Sequence, residues 1–152
     1  MIPSDEEDRA RVARHQMDRD GWGFETVEAG GDILAAVSMC DMRGAFLLDS
    51  VTALLANAMF TPDGAVETGA YKTIARDITQ LMDRSGDMVI VSDYIYSDAV
   101  DYDELTESFR RGLAYIDRRL AAECDAVMEA CCGQIIIHKG AEKMKDVTYG
   151  MD

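Results

Sequence analysis

The chain has 152 residues, 48% of them hydrophobic and 29% charged, the balance of a folded globular domain rather than a disordered chain. Its 29 Asp and Glu outnumber 15 Lys and Arg, and the resulting net charge of −14 argues against non-specific binding to nucleic acid or to an anionic membrane, both of which need basic surface. No apolar run reaches the ~18 residues of a membrane span and the start lacks a basic-then-apolar signal segment, so a cytoplasmic location is expected.

In chain order, residues 4–19 read as a helix, with Ser4 as N-cap and Glu7 three residues on completing a capping box. On that helix Asp8, Arg11, His15 and Arg19 fall at i, i+3, i+7 and i+11, on one polar face. Two readings stand. An imidazole between two guanidinium groups suits attack on phosphorus, and the same pattern suits a solvated face of Asp–Arg pairs with a bystander histidine. Residues 23–28 read as a short strand and 32–40 as a short helix. Ala45 to Leu48 is an apolar run ending in Asp49, the pattern of a buried parallel strand.

A helix over 51–60 follows, ended by the turn sequence Thr61, Pro62, Asp63, Gly64. Residues 68–84 form an amphipathic helix with Tyr71, Ile74, Ala75, Ile78, Leu81 and Met82 on one side. A second buried strand, 88–91, runs into Ser92 and Asp93. An acidic loop with tyrosines, 94–102, leads to a helix over 103–123. Two short apolar segments, 126–132 and 134–138, flank Gly133, and a polar tail occupies 141–152.

Buried strands alternating with helices predict one α/β domain over 1–140, with a mainly parallel sheet, helices on both faces and an antiparallel final hairpin. Ligands of such sheets sit at the carboxyl ends of the strands. Asp49 and the Ser92–Asp93 pair fall there, as site residues or as helix caps. The four cysteines, Cys40, Cys124, Cys131 and Cys132, form no C-x-x-C pair; adjacent residues in a strand point to opposite faces. They read as small buried apolar side chains with reduced thiols, and zinc is not expected. His138 reads as a rim or pairing residue, and Met59 and Met82 as core filler.

The order of these pieces resembles the bifunctional adenosylcobinamide kinase/adenosylcobinamide-phosphate guanylyltransferases of cobalamin biosynthesis. DEEDRARVARH, a following arginine and GFETVE carry the most specific part. LLDSVTALLANAMF, VIVSD, FRRGLAYIDRRLAAECDAV and a closing Gly–apolar–Lys-Gly segment follow in family order, over about residues 2–140. The resemblance implies a fold like that of P-loop NTPases (RecA-like). It also implies two reactions: a triphosphate (ATP or GTP) phosphorylates adenosylcobinamide, then GTP guanylylates a histidine that passes GMP to adenosylcobinamide phosphate. His15 matches the acceptor. Gln16, Met17, Asp18 and Arg19, with Glu28 and Asp49, fall where the family contacts guanine nucleotide. Arg11 and Arg19 would stabilise phosphate oxygens, Asp49 would hold Mg²⁺, and Ser92 and Asp93 would lie in a substrate or metal loop. Members often form homo-oligomers, which exposed sheet edges would favour.

The chain also departs from the family pattern. Members begin with a strand, a Gly-rich phosphate loop ending in Gly-Lys-Ser, a helix and a second strand, and no G-x-x-x-x-G-K-[ST] occurs in this sequence. The domain is therefore expected to be N-terminally incomplete. Truncation is the favoured origin, since Met1 to Ser4 resembles internal family sequence, and decay or a partial working protein are the others. Where the family has Thr/Ser-Asn-Glu this chain has Ser92, Asp93 and Tyr94; the usual Asn and Cys appear as Asp117 and Ser50. These changes bear most on the kinase half. They motivate the alternative of a non-catalytic homologue that binds corrinoid, nucleotide or a partner chain.

Overall fold

In the computed structural model the described residues are 21–145 throughout and, before them, Glu6, Ala10, Ala13, Arg14 and Met17, all helical and exposed. The helix expected over 4–19, His15 included, thus falls mostly outside the described residues. The chain divides into two compact units, Met1–Ile116 and Asp117–Asp152.

In the first unit the order is α1 (Ile33–Val37), β1 (Phe46–Asp49), α2 (Val51–Met59), α3 (Ala70–Met82), β2 (Met88–Val91) and then α4, which begins at Glu104 and ends at Glu123. Asp32 starts α1 by accepting from the Ala35 amide at 2.9 Å, and Ser50 starts α2 by accepting from the Ala53 amide at 3.3 Å. Asp103 caps α4, accepting from the Leu105 and Thr106 amides, each at 3.0 Å. β1 and β2 pair in parallel, Phe46 opposite Met88 and Asp49 opposite Val91. The core of this unit is apolar and lies on the helices: Val51, Leu54, Leu55 and Met59 of α2, Ile74, Ala75, Ile78 and Leu81 of α3, and Leu113 and Ile116 of α4 are all buried. Each of these side chains except Ala75 contributes about 1.5–3 kcal/mol by leaving water. α4 approaches α3 at Gly112, where an added Cβ would stand 3.2 Å from Tyr71 Cβ.

Two expectations change here. Residues 24–29 carry no strand; they run as irregular chain, mostly exposed, because alternating side chains make a strand only where a neighbour supplies the ladder. The sheet is also smaller and less covered than expected. Among the described residues β1 and β2 pair only with each other. Phe46, Leu48, Met88 and Ile90 form a half-buried face, while Leu47, Val89 and Val91 on the other face are 39%, 60% and 39% exposed. An apolar run reports what a strand can bury, not what covers it.

In the second unit α4 ends and β3 (Val127–Cys131) pairs antiparallel with β4 (Gln134–Lys139), followed by a 3-10 turn, Ala141–Met144. The antiparallel final hairpin is as expected, so half of the strands belong to an antiparallel rather than a parallel sheet. Lys139 Nζ donates to the carbonyls of Ala121 at 3.0 Å and Ala122 at 2.9 Å, a cation on the last turn of α4. Lys143 pairs with Asp125. Among the described residues no helix is long and apolar enough to cross a membrane.

Candidate active site

The parallel strand pair fixes the geometry. Because Asp49 lies opposite Val91, the residues that follow, Ser50 on one strand and Ser92 and Asp93 on the other, leave the sheet at the same end. Two contacts tie that end down. The Ser50 hydroxyl caps α2, and the Asp93 amide donates to Thr52 Oγ1 in the first turn of the same helix at 3.0 Å. The helix start and the strand ends thus share one end of the sheet, which Asp49, Ser92 and Asp93 border.

A cavity of about 530 Å³ opens beside β1. Its wall is formed by residues 23–29, by Ile33, Ala36, Val37 and Cys40 of the α1 region, by residues 44–50, and by Ala53, Leu54 and Asn57 of α2. Glu28 and Asp49, separated by twenty-one positions in sequence and both expected to contact nucleotide, therefore line one space. Ser92 and Asp93 are not part of that lining. Met17, the other described member of the expected set, is 75% exposed. Arg11, His15, Gln16, Asp18 and Arg19 lie outside the described residues.

The electrostatics of the lining are one-sided. Among the described residues it carries Glu25, Glu28, Asp41 and Asp49 and no Lys or Arg. Arg43, outside that lining, binds Asp41 through two side-chain contacts of 3.0 and 2.9 Å, and it holds the Asp41 carboxyl below the usual carboxylate range. Such a wall accepts hydrogen bonds from sugar hydroxyls and base N–H groups, and repels unneutralised phosphate. Among the described residues no group of three His, Cys, Asp or Glu side chains is placed to hold a metal ion. A Mg²⁺ ion, however, keeps several waters and takes one or two carboxylates together with substrate phosphates, so the hard oxygen donor of Asp49 fits part of such a shell.

Asn57, the Asn of LLDSVTALLANAMF, also lines the cavity and was not among the expected site residues. It is half-buried on α2, and its Nδ2 is buried without a hydrogen-bond partner among the described residues. A buried unpaired donor costs about 1–3 kcal/mol, so a water or a ligand acceptor beside it would be favourable. The signal was a lone amide in the otherwise apolar helix VTALLANAM. Ser92 Oγ is likewise buried without a partner among the described residues.

The loop 94–102 beyond β2 is held by α4 rather than left open. Arg110, 8% exposed, donates Nε to the Ile95 carbonyl at 3.1 Å, pairs through Nη2 with Asp98 at 2.8 Å and through Nη1 with Glu107, and stacks over Tyr102 at 4.7 Å. Tyr102 closes the ring by donating to Asp98 Oδ2 at 2.8 Å. That hydroxyl, with Arg110 behind it, holds the Asp98 carboxyl below the usual range, and Asp98 in turn pushes the Tyr102 phenol up. In the second unit His138 pairs with Glu129 at 3.0 Å, the pairing role expected of it.

Parallel strands joined through helices, with carboxylates beside a cavity, define an α/β protein, the class in which ligands commonly sit at strand carboxyl ends. The model of the family described as cobinamide kinase / cobinamide phosphate guanyltransferase matches residues 1–137, and the chain belongs to that family. The family is one of transferases, kinase and nucleotidyltransferase, acting on cobinamide substrates in cobalamin biosynthesis. A comparison with curated proteins returns no match.

Proposed function

We propose that this chain guanylylates a corrinoid phosphate, taking GMP from GTP onto His15 and passing it to adenosylcobinamide phosphate, and that the cavity beside β1 receives the nucleoside end of GTP. The carrying observation is that Glu28 and Asp49, the latter at the carboxyl end of β1, line one cavity beside that strand in a chain of this family. Guanine presents ring N–H and amino donors and ribose presents hydroxyls, all of which carboxylates accept. Glu28 then selects the base or sugar, with Asn57 Nδ2 offering a donor to the guanine carbonyl. The acidic wall leaves the triphosphate to cations from elsewhere, the role of Arg11 and Arg19.

In the transfer the His15 nitrogen bonds to the α-phosphorus while the bond from that phosphorus to pyrophosphate breaks. A phosphate oxygen of the corrinoid then attacks the same phosphorus, breaks the N–P bond and restores the histidine, giving adenosyl-GDP-cobinamide. Mg²⁺, when bound, neutralises charge on the phosphates, and Asp49 would hold it directly or through water. Ser92 and Asp93 flank the same end of the sheet as the substrate or metal loop. The companion activity is phosphorylation of the adenosylcobinamide hydroxyl by ATP or GTP on a P-loop NTPase-like frame, in the cytoplasm, by a chain that self-associates.

A second reading has its own observation. Asp93 and Tyr94 stand where the family pattern has Asn-Glu, and these two substitutions favour a homologue that binds nucleotide or corrinoid without turnover. One experiment separates the two. Incubation of the full chain with labelled GTP and Mg²⁺ should give a GMP adduct that is labile in acid, stable in alkali and lost in His15→Ala. Glu28→Gln and Asp49→Asn should each weaken GTP binding about tenfold, the worth of one charge-assisted hydrogen bond. Label on serine or lysine would sink the histidine route. Saturable binding with no adduct would establish the second reading.

A further inference from the structure

The expectation that the cysteines are buried fails at the tip of the β3–β4 hairpin. Cys131 and Cys132 are both exposed free thiols, whereas Cys40 and Cys124 are half-buried. Cys131 pairs with Gln134, so the connection is a two-residue loop, Cys132–Gly133. Both loop residues have positive φ, 51° at Cys132 and 75° at Gly133, as a type I′ turn requires. Adjacent residues of a strand point to opposite faces, but Cys132 has already left the strand. Its left-handed backbone swings the thiol round to 3.7 Å from that of Cys131. Asn is the residue such a position favours and Cys is not, so the turn is held by a residue that weakens it and supplies a second sulfur.

We propose that Cys131 and Cys132 form a two-thiol chelating site for trivalent organoarsenicals of the form R–As=O. The separation decides what the pair can bind. Consecutive Cα atoms stand about 3.8 Å apart, below the ~4.4–6.8 Å that a disulfide normally spans, so direct S–S closure is strained and readily reduced. A bridging atom needs no such closure. A centre bonded to both sulfurs at about 2.3 Å holds them about 3.3–3.8 Å apart as its S–X–S angle runs from the roughly 90–100° of pyramidal arsenic(III) to the tetrahedral value, so the 3.7 Å separation here needs only a small closure. Zinc would need two further ligands, and no group of three His, Cys, Asp or Glu side chains is placed to hold a metal among the described residues. An arsenic that already carries one carbon needs only two sulfurs. In the reaction each thiol forms one S–As bond, the As=O bond breaks, and the oxygen leaves as water with the two thiol protons; no electron transfer is involved. The second bond forms within one molecule, so the adduct outlasts any made with single thiols.

The test uses the reduced full chain with one equivalent of phenylarsine oxide in a large excess of glutathione, read by intact-mass spectrometry. A single adduct that survives glutathione and is removed by dithiothreitol is expected. Cys131→Ser should reduce its retention at least tenfold, as should Cys132→Asn, a substitution the turn favours and which keeps the hairpin folded. The Cys40→Ser/Cys124→Ser double variant should retain it. No glutathione-resistant adduct in the parent chain, or wild-type retention in either hairpin variant, would overturn the proposal.

Discussion

Arg110 is the buried charged residue among those described, and what surrounds it sets the cost of removing it. Its guanidinium satisfies a backbone carbonyl and two carboxylates, and its face rests on the Tyr102 ring. Asp98 and Glu107 keep partial access to water, so a truncated partner does not leave them as stranded charges. Arg110→Ala should therefore destabilise by about 2–3 kcal/mol, less than a fully buried pair would. Urea unfolding would show it as a lower midpoint. Arg110→Lys should recover little, because one ammonium cannot hold three acceptors in the guanidinium plane. Little of this was legible in FRRGLAY. The residues Arg110 holds lie twelve and fifteen positions away in a loop whose sequence shows charge and aromatics but not where it folds back. The capping roles of Asp32, Ser50 and Asp103 follow a local rule, and such rules read directly from sequence.

At the scale of elements the same division holds. The strand over 88–91 and the amphipathic helix within 68–84 appear where period and flanking turns place them, since each signal lies inside its own segment. The strand expected over 23–28 needed a neighbour that its sequence could not name. At the site, Asp49 with Ser92 and Asp93 was legible from topology alone. The meeting of Glu28 with Asp49 in one cavity was reachable only through family resemblance. The junction after β4 offers a sharper test of element packing. Gly140 has φ of 75°, and a Cβ added there would stand 2.3 Å from the Asp125 carbonyl oxygen and 2.9 Å from Ala126 Cα. Both obstacles are backbone and neither can rotate away. Gly140→Ala should cost at least about 2 kcal/mol, combining left-handed strain with that overlap. Hydrogen exchange should report it first, as lost protection of the β3–β4 ladder. Unchanged protection would mean the junction yields more easily than its geometry indicates.

Over the whole molecule, two electrostatic effects oppose each other as pH falls. The net charge of −14 repels itself in the folded state, which favours partial protonation or screening. Against this, Asp41, Asp63, Asp98, Asp103 and Asp125 are all held below the usual carboxylate range. Arg43 acts on the first, Thr61 on the second, Tyr102 on the third, Thr106 on the fourth and Lys143 on the last. A carboxyl whose folded pKa lies below its unfolded value of about 3.9 stabilises fully above that value and loses its contribution as pH falls through the folded pKa. Between pH 7 and about 5 neither effect titrates strongly, so stability should stay level or rise slightly. Below about pH 4 the five aspartates begin to protonate and stability should fall modestly, since these groups are solvent-exposed, with Asp98→Asn removing part of that fall. Salt separates the two causes. Half-molar NaCl at pH 7 shortens the screening length to a few ångströms and should raise Tm by relieving the repulsion. Near pH 4.4, where the net charge passes through zero, the same salt should do little. A salt effect of equal size at both pH values would show that ion binding rather than charge repulsion sets the stability at neutral pH.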